Sequence, residues 1–81
     1  MVKKYIKHPI PIEAIRWTGF NEKELKEFVG DNFISKDDNV FIRTLEGDML
    51  VEIGSYVIKG VEGEFYPCRG DIFKKTYEEV K

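Results

Sequence analysis

The stretch that decides the fold is "NVFIRTLEGDMLVEIGSYVIKGVEGEFYPC", residues 39–68. It contains two glycine-centred turns, Leu-Glu-Gly-Asp around Gly47 and Val-Glu-Gly-Glu around Gly63, and a Gly-Ser corner at 54–55 lies between them. Runs of β-branched, aliphatic and aromatic residues bounded by glycine are typical of strands joined by hairpins. The pattern predicts a four-stranded antiparallel meander over residues 40–68, built from two successive hairpins.

The length of the second hairpin loop decides which face its aromatic residues occupy. A two-residue loop would place Tyr66 on the face away from Tyr56 and Ile58, because a slip of one residue exchanges the faces. A three-residue loop with Gly63 in the left-handed region would place Tyr66 and Cys68 on the same face as Tyr56 and Ile58. Glutamate suits the positive φ of a two-residue type I′ turn poorly. The three-residue loop is therefore favoured, with Tyr66 and Cys68 turned toward the core.

A single clear helix is predicted over residues 22–29. Asn21 is a suitable N-cap, and Glu24 three residues later completes a capping-box pattern. Gly30 is placed to end the helix in the left-handed conformation. The apolar stripe at i, i+3 and i+4 consists of Leu25, Phe28 and Val29.

The segments at the two ends of the chain, residues 9–17 and 71–80, are predicted to lie at the edges of the sheet. Residues 9–17 alternate as a strand whose first part is confined to a sheet edge, because Pro9 and Pro11 cannot donate ladder hydrogen bonds. In residues 71–80, Asp71 could cap a helix, but the β-prone Thr-Tyr pair at 76–77 favours a short turn at 71–75 followed by an edge strand.

These elements predict one α+β domain over residues 1–81, with one helix packed on a curved antiparallel sheet. The sheet is made of two successive hairpins and edge strands, and its closure into a small barrel stays open. Eighty-one residues are sufficient for one hydrophobic core.

Composition excludes several classes of function. The net charge of −2 and the absence of a strongly basic stretch argue against specific nucleic-acid binding. No apolar run approaches the roughly twenty residues of a membrane span, so we expect a cytoplasmic protein with no membrane partner. One cysteine excludes an internal disulfide, and one histidine with one cysteine do not make a usual zinc site. We expect no cofactor and no metal ion.

The candidate site residues come from the aromatic and basic positions. Cys68 would need a neighbouring base to act as a nucleophile, and the chain's one histidine, His8, lies far away in sequence, so no catalytic residue is predicted. Lys59, Tyr66 and Arg69 are candidate contacts for a partner or ligand, because a charge beside an exposed tyrosine is a common anchor pattern. Trp17 is a fourth candidate, with burial in the core as the favoured alternative.

Four phrases also resemble a known family. They are "PIPIEAIRWTG" (9–19), "EFVG" (27–30), "TLEGDMLVEIGSYVIKGVEGEFYPC" (44–68) and "DIFKKTYEEV" (71–80). Together they are similar to short, uncharacterised proteins encoded by phages and prophages of Gram-positive bacteria. Relatives often have Gly-Asp-Tyr where this chain has Gly-Ser-Tyr at 54–56. The resemblance implies a phage-derived protein in a bacterial host cytoplasm and brings no catalytic residues.

Residues and resemblance together predict a non-enzymatic protein-interaction module whose partner is a host bacterial protein. The alternative is a small-molecule binder, for instance one that sequesters a nucleotide signal, and an enzyme is the least favoured class. Self-association into a homo-oligomer is left open.

Overall fold

The computed structural model describes residues 2–6 and 8–80 and shows two helices and two three-stranded antiparallel sheets. The elements in chain order are β1 (Glu13–Arg16), α1 (Glu22–Val29), a 3-10 turn (Gly30–Asn32), β2 (Phe33–Lys36), β3 (Asn39–Thr44), β4 (Gly47–Val51), β5 (Tyr56–Lys59), β6 (Phe65–Cys68) and α2 (Gly70–Thr76). The predicted α+β class is confirmed. The described residues do not form a closed barrel.

The two predicted hairpins are present, but they belong to different sheets. One sheet has the order β1-β5-β6 and the other the order β2-β3-β4, so the continuous meander predicted over residues 40–68 is wrong. The reason lies at the corner between the hairpins. Gly54, with a φ of 95°, donates its N–H to the Trp17 carbonyl at 2.7 Å, and Trp17 donates to the Ser55 carbonyl at 2.8 Å. These bonds join the corner to the end of β1, and β1 pairs with β5.

A further hairpin, between β2 and β3, was not predicted from the sequence. Its two-residue loop is Asp37-Asp38, with φ values of 52° and 64°. Two consecutive residues with positive φ are the signature of a type I′ turn, whose twist matches that of the paired strands. Aspartate is among the few residues other than glycine that adopt this conformation readily.

The register of the last hairpin is the one predicted. Gly60 donates to the Glu64 carbonyl at 2.7 Å, which leaves a three-residue loop, and Gly63 has a φ of 84°. Tyr66 lies opposite Ile58. Cys68 in turn lies opposite Tyr56, so all four side chains share one face of the sheet.

The main core lies between α1 and the two sheets. Leu25 and Val29 of α1 are buried in it, and Phe28 packs at its edge with its ring 5.5 Å from the Phe65 ring in an edge-on arrangement. Trp17 is only 7% exposed, which confirms the core alternative for this residue. The strand residues buried in the same cluster are Val40, Ile42, Val51 and Val57.

Tyr66 and Cys68 do not face this core, contrary to the prediction. Val57 is the β5 residue in the main cluster, and because side chains alternate along a strand, Ile58 and its opposite neighbour Tyr66 point to the other face of the sheet. Helix α2 covers that face, and both Tyr66 and Cys68 are half-buried there.

The flanks also differ from their predicted form. The predicted edge strand after residue 75 is wrong: residues 70–76 form α2, and residues 77–80 have no regular structure. The N-terminal strand is shorter than the predicted range of 9–17 because it begins at Glu13, after the prolines. Before it, Ile10 donates its N–H to the His8 carbonyl at 2.8 Å, which makes a γ-turn around Pro9.

Helix α1 has the predicted bounds, but Asn21 does not cap it with its side chain. Its Oδ1 accepts hydrogen bonds from the N–H and the hydroxyl of Thr18, both at 3.0 Å. Its Nδ2 donates to the Arg16 carbonyl at 2.8 Å and to Glu24 at 3.1 Å. Asn21 therefore holds the end of β1 against the start of α1.

Candidate functional site

A row of stacked aromatic rings attaches α2 to the sheet, and we call this row the aromatic stack. The rings of Tyr56 and Phe73 are nearly parallel, with an interplanar angle of 9° and centroids 3.9 Å apart. The Tyr77 ring continues the row, 4.9 Å from Phe73. Phe73 and Tyr77 are four residues apart, so one helical turn places both rings on the same side.

Tyr66 lies beside the aromatic stack, on the sheet face that also carries Tyr56. Burial, together with the neighbouring Tyr77 side chain, raises the pKa of Tyr66 to about 12. The hydroxyl therefore keeps its proton at pH values where a free tyrosine ionises. The position of Tyr66 beneath α2 explains why it is half-buried without belonging to the main core.

A groove of about 830 Å³ runs along the aromatic stack, and we call it the α2 groove. One wall is the chain segment before and within β1, residues 9–14, and the other is α2 with residues 77–80. Its apolar and aromatic lining residues are Pro9, Ile10, Pro11, Ile12, Ala14, Phe28, Tyr56, Phe73, Tyr77 and Val80. Ile10 is 55% exposed and Val80 83% exposed, so both walls present apolar surface to solvent.

The charged residues that line the α2 groove are mostly acidic. Glu13 lies on one wall and Glu78 and Glu79 lie on the other, and within residues 2–6 and 8–80 Lys74 is the one basic lining residue. Over these described residues, three carboxylates against one ammonium give the lining a net charge of −2. The groove therefore combines an apolar interior with an electrostatic preference for cations.

A second, smaller cleft of about 450 Å³ lies at the N-terminal end of α2. Its charged lining residues are Arg16, Arg69 and Lys74 together with Glu52 and Asp71, which leaves a net charge of +1. The Arg69 guanidinium donates to the Asp71 carboxylate at 2.9 Å. The backbones at Gly54 and Gly70 are closely packed here. A Cβ added to Gly70 would lie 2.5 Å from the Gly54 carbonyl oxygen, which is too close for a side chain at this position.

The four site residues predicted from the sequence do not form one site. Trp17 is buried in the main core, and Lys59 is exposed at the end of β5. Tyr66 lies beneath α2, and Arg69 lines the smaller cleft. None of the four lines the α2 groove.

Sequence reasoning missed the residues that do form the groove. The best signal for them was the i, i+4 spacing of Phe73 and Tyr77, which a helix places on one side. That signal was outweighed by the β propensity of Thr76 and Tyr77. The opposite wall, residues 9–14, gave no local signal, because it meets α2 only through the tertiary fold.

The thiol of Cys68 is half-buried and lies 3.6 Å from the Arg69 carbonyl, to which it can donate. Within residues 2–6 and 8–80, no three His, Cys, Asp or Glu side chains are grouped so that they could hold a metal ion. Over the same residues, no helix has the length and apolar character needed to cross a membrane.

Comparison with known proteins finds no family model, no curated protein and no solved structure that matches this chain.

Proposed function

We propose that this chain is a non-enzymatic interaction module that binds an extended, apolar and basic segment of a partner protein in the α2 groove. The observation that carries the proposal is the groove itself, about 830 Å³ in volume, lined by aromatic and aliphatic side chains. Binding sites commonly have volumes of about 300–1,000 Å³ and mostly apolar walls. A groove open to solvent also suits a peptide chain that enters at one end and leaves at the other.

The charge of the groove selects the chemistry of the partner. Glu13, Glu78 and Glu79 would attract lysine and arginine side chains. The rings of Phe73 and Tyr77 offer faces on which the aliphatic stems and charged ends of such side chains can pack. Electrostatic complementarity of this kind raises association rates and discriminates between partners. The resemblance to phage and prophage proteins suggests a host bacterial protein as the source of the segment.

The arrangement around Cys68 supports binding over catalysis. Its thiol is directed to a backbone carbonyl and has no imidazole beside it, because His8 is an exposed residue outside both clefts. A nucleophilic cysteine needs a base or a positive charge that stabilises its thiolate, and the guanidinium of the neighbouring Arg69 is paired with the Asp71 carboxylate.

A groove-blocking variant tests the proposal. Ala14 is an exposed residue of β1 in the groove wall, and Ala14→Arg would fill the groove and reduce its negative charge. Ser35→Arg, at an exposed position of β2 in the other sheet, is the matched control with the same added side chain. Proteins from host lysate that bind the unmodified chain and Ser35→Arg but not Ala14→Arg would support the proposal. Equal capture by both variants would contradict it.

The smaller cleft carries a second candidate function, the sequestering of a small anionic ligand such as a nucleotide. Three cations line the cleft, Arg16, Arg69 and Lys74, and they outnumber its two carboxylates. A thermal-shift screen of nucleotides tests this candidate, with Arg16→Gln as the variant that should lose any stabilisation. If no nucleotide raises the melting temperature of the unmodified chain, this candidate is wrong.

A further inference from the structure

The residues before the γ-turn form an exposed segment, residues 2–6, which we call the arm. Its apolar side chains make almost no contact with the rest of the chain: Val2 is 98%, Tyr5 87% and Ile6 94% exposed. Two lysines, Lys3 and Lys4, lie between them. The arm is therefore itself an apolar and basic segment.

The chain exposes far more surface than a compact monomer of its mass. Its accessible area is 6955 Å². A compact 9.5 kDa protein exposes about 5,000 Å², so about 1,900 Å² is in excess. Its radius of gyration is 13.9 Å, against about 11.7 Å for a compact domain of this length. The exposed side chains of Val2, Tyr5 and Ile6 contribute to this area, and a standard protein interface buries about 800 Å² on each partner.

We propose that the arm of a second copy occupies the α2 groove, so that two chains form a two-fold dimer by reciprocal exchange of their arms. The inference rests on the proposed function of this groove as a site for an apolar and basic segment. It names one such segment: residues 2–6 of an identical chain.

The chemistry of the two surfaces is complementary. Lys3 and Lys4 bring two positive charges to a groove lining whose described residues, within 8–80, carry a net charge of −2. Tyr5 and Ile6 supply the aromatic and aliphatic surface that the aromatic stack can cover. Burial of these two side chains removes apolar surface from water, and this gain is absent in a monomer whose arm is in solvent.

The lengths also agree. Five residues span at most about 17 Å when fully extended, and the six residues of the groove wall, 9–14, span at most about 20 Å. In a two-fold dimer the arm of each chain would lie against the groove wall of the other. Such an interface is isologous, and both arm–groove contacts form together. The exposure of Tyr5 and Ile6 shows that the arm does not occupy the groove of its own chain.

Sedimentation equilibrium of the full chain between 5 and 500 μM (about the range in which weak dimers form) tests the dimer. Tyr5→Asp/Ile6→Asp should weaken dimerisation at least tenfold. Leu45→Asp/Val61→Asp, at two exposed hairpin-tip positions, carries the same added charge and should leave it unchanged. Ala14→Arg should weaken it from the groove side. A chain that stays monomeric throughout, or a dimer that the arm and control variants weaken equally, would overturn the inference.

A mixing experiment identifies the contact. The arm variant keeps an intact groove and Ala14→Arg keeps an intact arm, so an equimolar mixture should form a heterodimer with one of the two contacts restored. Neither variant alone should dimerise as well as the mixture. If the mixture is no more dimeric than its components, the arm and the groove do not meet and the inference is wrong.

The outcomes separate this inference from the proposed function. A monomeric chain that still binds a host protein through the groove would support the proposed function and contradict arm exchange. A dimer that depends on arm and groove, with no host protein bound through the groove, would support arm exchange and contradict the proposed function.

Discussion

Removal of the central ring of the aromatic stack is the strongest test of how α2 is attached. Phe73 is half-buried between Tyr56 and Tyr77. The substitution Phe73→Ala removes about 120 Å² of buried apolar surface. At about 25 cal/mol/Å² this lowers the free energy of unfolding by about 3 kcal/mol. Total stability for a chain of this length is about 4–12 kcal/mol, so the variant should remain folded.

Urea denaturation followed by Trp17 fluorescence measures the effect. Trp17 is the chain's one tryptophan and is buried in the main core, so its emission reports the unfolding of that core. With an m-value of about 1–1.5 kcal/mol/M for a chain of this size, the midpoint should fall by about 2–3 M. Lys75→Ala, an exposed position of α2, is the control and should move the midpoint little. An unchanged midpoint in Phe73→Ala would refute the packing of α2 on the sheet.

Three individual side chains give further predictions. Asn21→Ala should lower the free energy of unfolding by about 2 kcal/mol in denaturant, because four partly exposed hydrogen bonds are lost; Asn21→Asp should lose at least as much, because its second carboxylate oxygen would face the Arg16 carbonyl and the Glu24 carboxylate. Because Tyr66 keeps its proton in the folded chain up to a pKa of about 12 while an unfolded tyrosine ionises near 10, stability should fall as pH rises between these values; Tyr66→Phe should lose this part of the decline. Cys68 is half-buried, so a thiol reagent should label it more slowly in the folded chain than in denaturant, and equal rates would contradict its position beneath α2.

Local signals predicted those parts of the fold that local interactions determine. The bounds of α1 follow from an apolar stripe ended by Gly30, and the last hairpin follows from the positive φ that Gly63 adopts. Both signals lie within a few residues of the structure that they specify. Helix α1 and the last hairpin therefore form where they were predicted, even though the Asn21 side chain does not cap the helix.

The parts that could not be predicted depend on contacts between distant segments. The division into two sheets follows from the pairing of β1 with β5, which are about forty residues apart and carry no local mark of that pairing. Residues 70–76 form a helix because Phe73 stacks on Tyr56 of the sheet, and this tertiary contact outweighs the β propensity of Thr76.

The candidate site was missed for the same reason. The aromatic and basic residues that follow Gly63 led to the prediction of Tyr66 and Arg69 as site residues. The α2 groove instead forms where residues 9–14 lie against α2 and residues 77–80. Only the folded structure brings those two segments together.

The most direct test of the central claim is an NMR titration of the α2 groove. The full-length Tyr5→Asp/Ile6→Asp chain, labelled with ¹⁵N, would be titrated with a synthetic peptide of the sequence VKKYIKHPI, residues 2–10 of the unmodified chain. The control peptide has glutamate at each lysine position. With the unmodified peptide we expect saturable amide shifts at Ala14, Phe73 and Tyr77, and we expect weaker binding of the control peptide. Shifts confined to other surfaces, or no shifts, would contradict it.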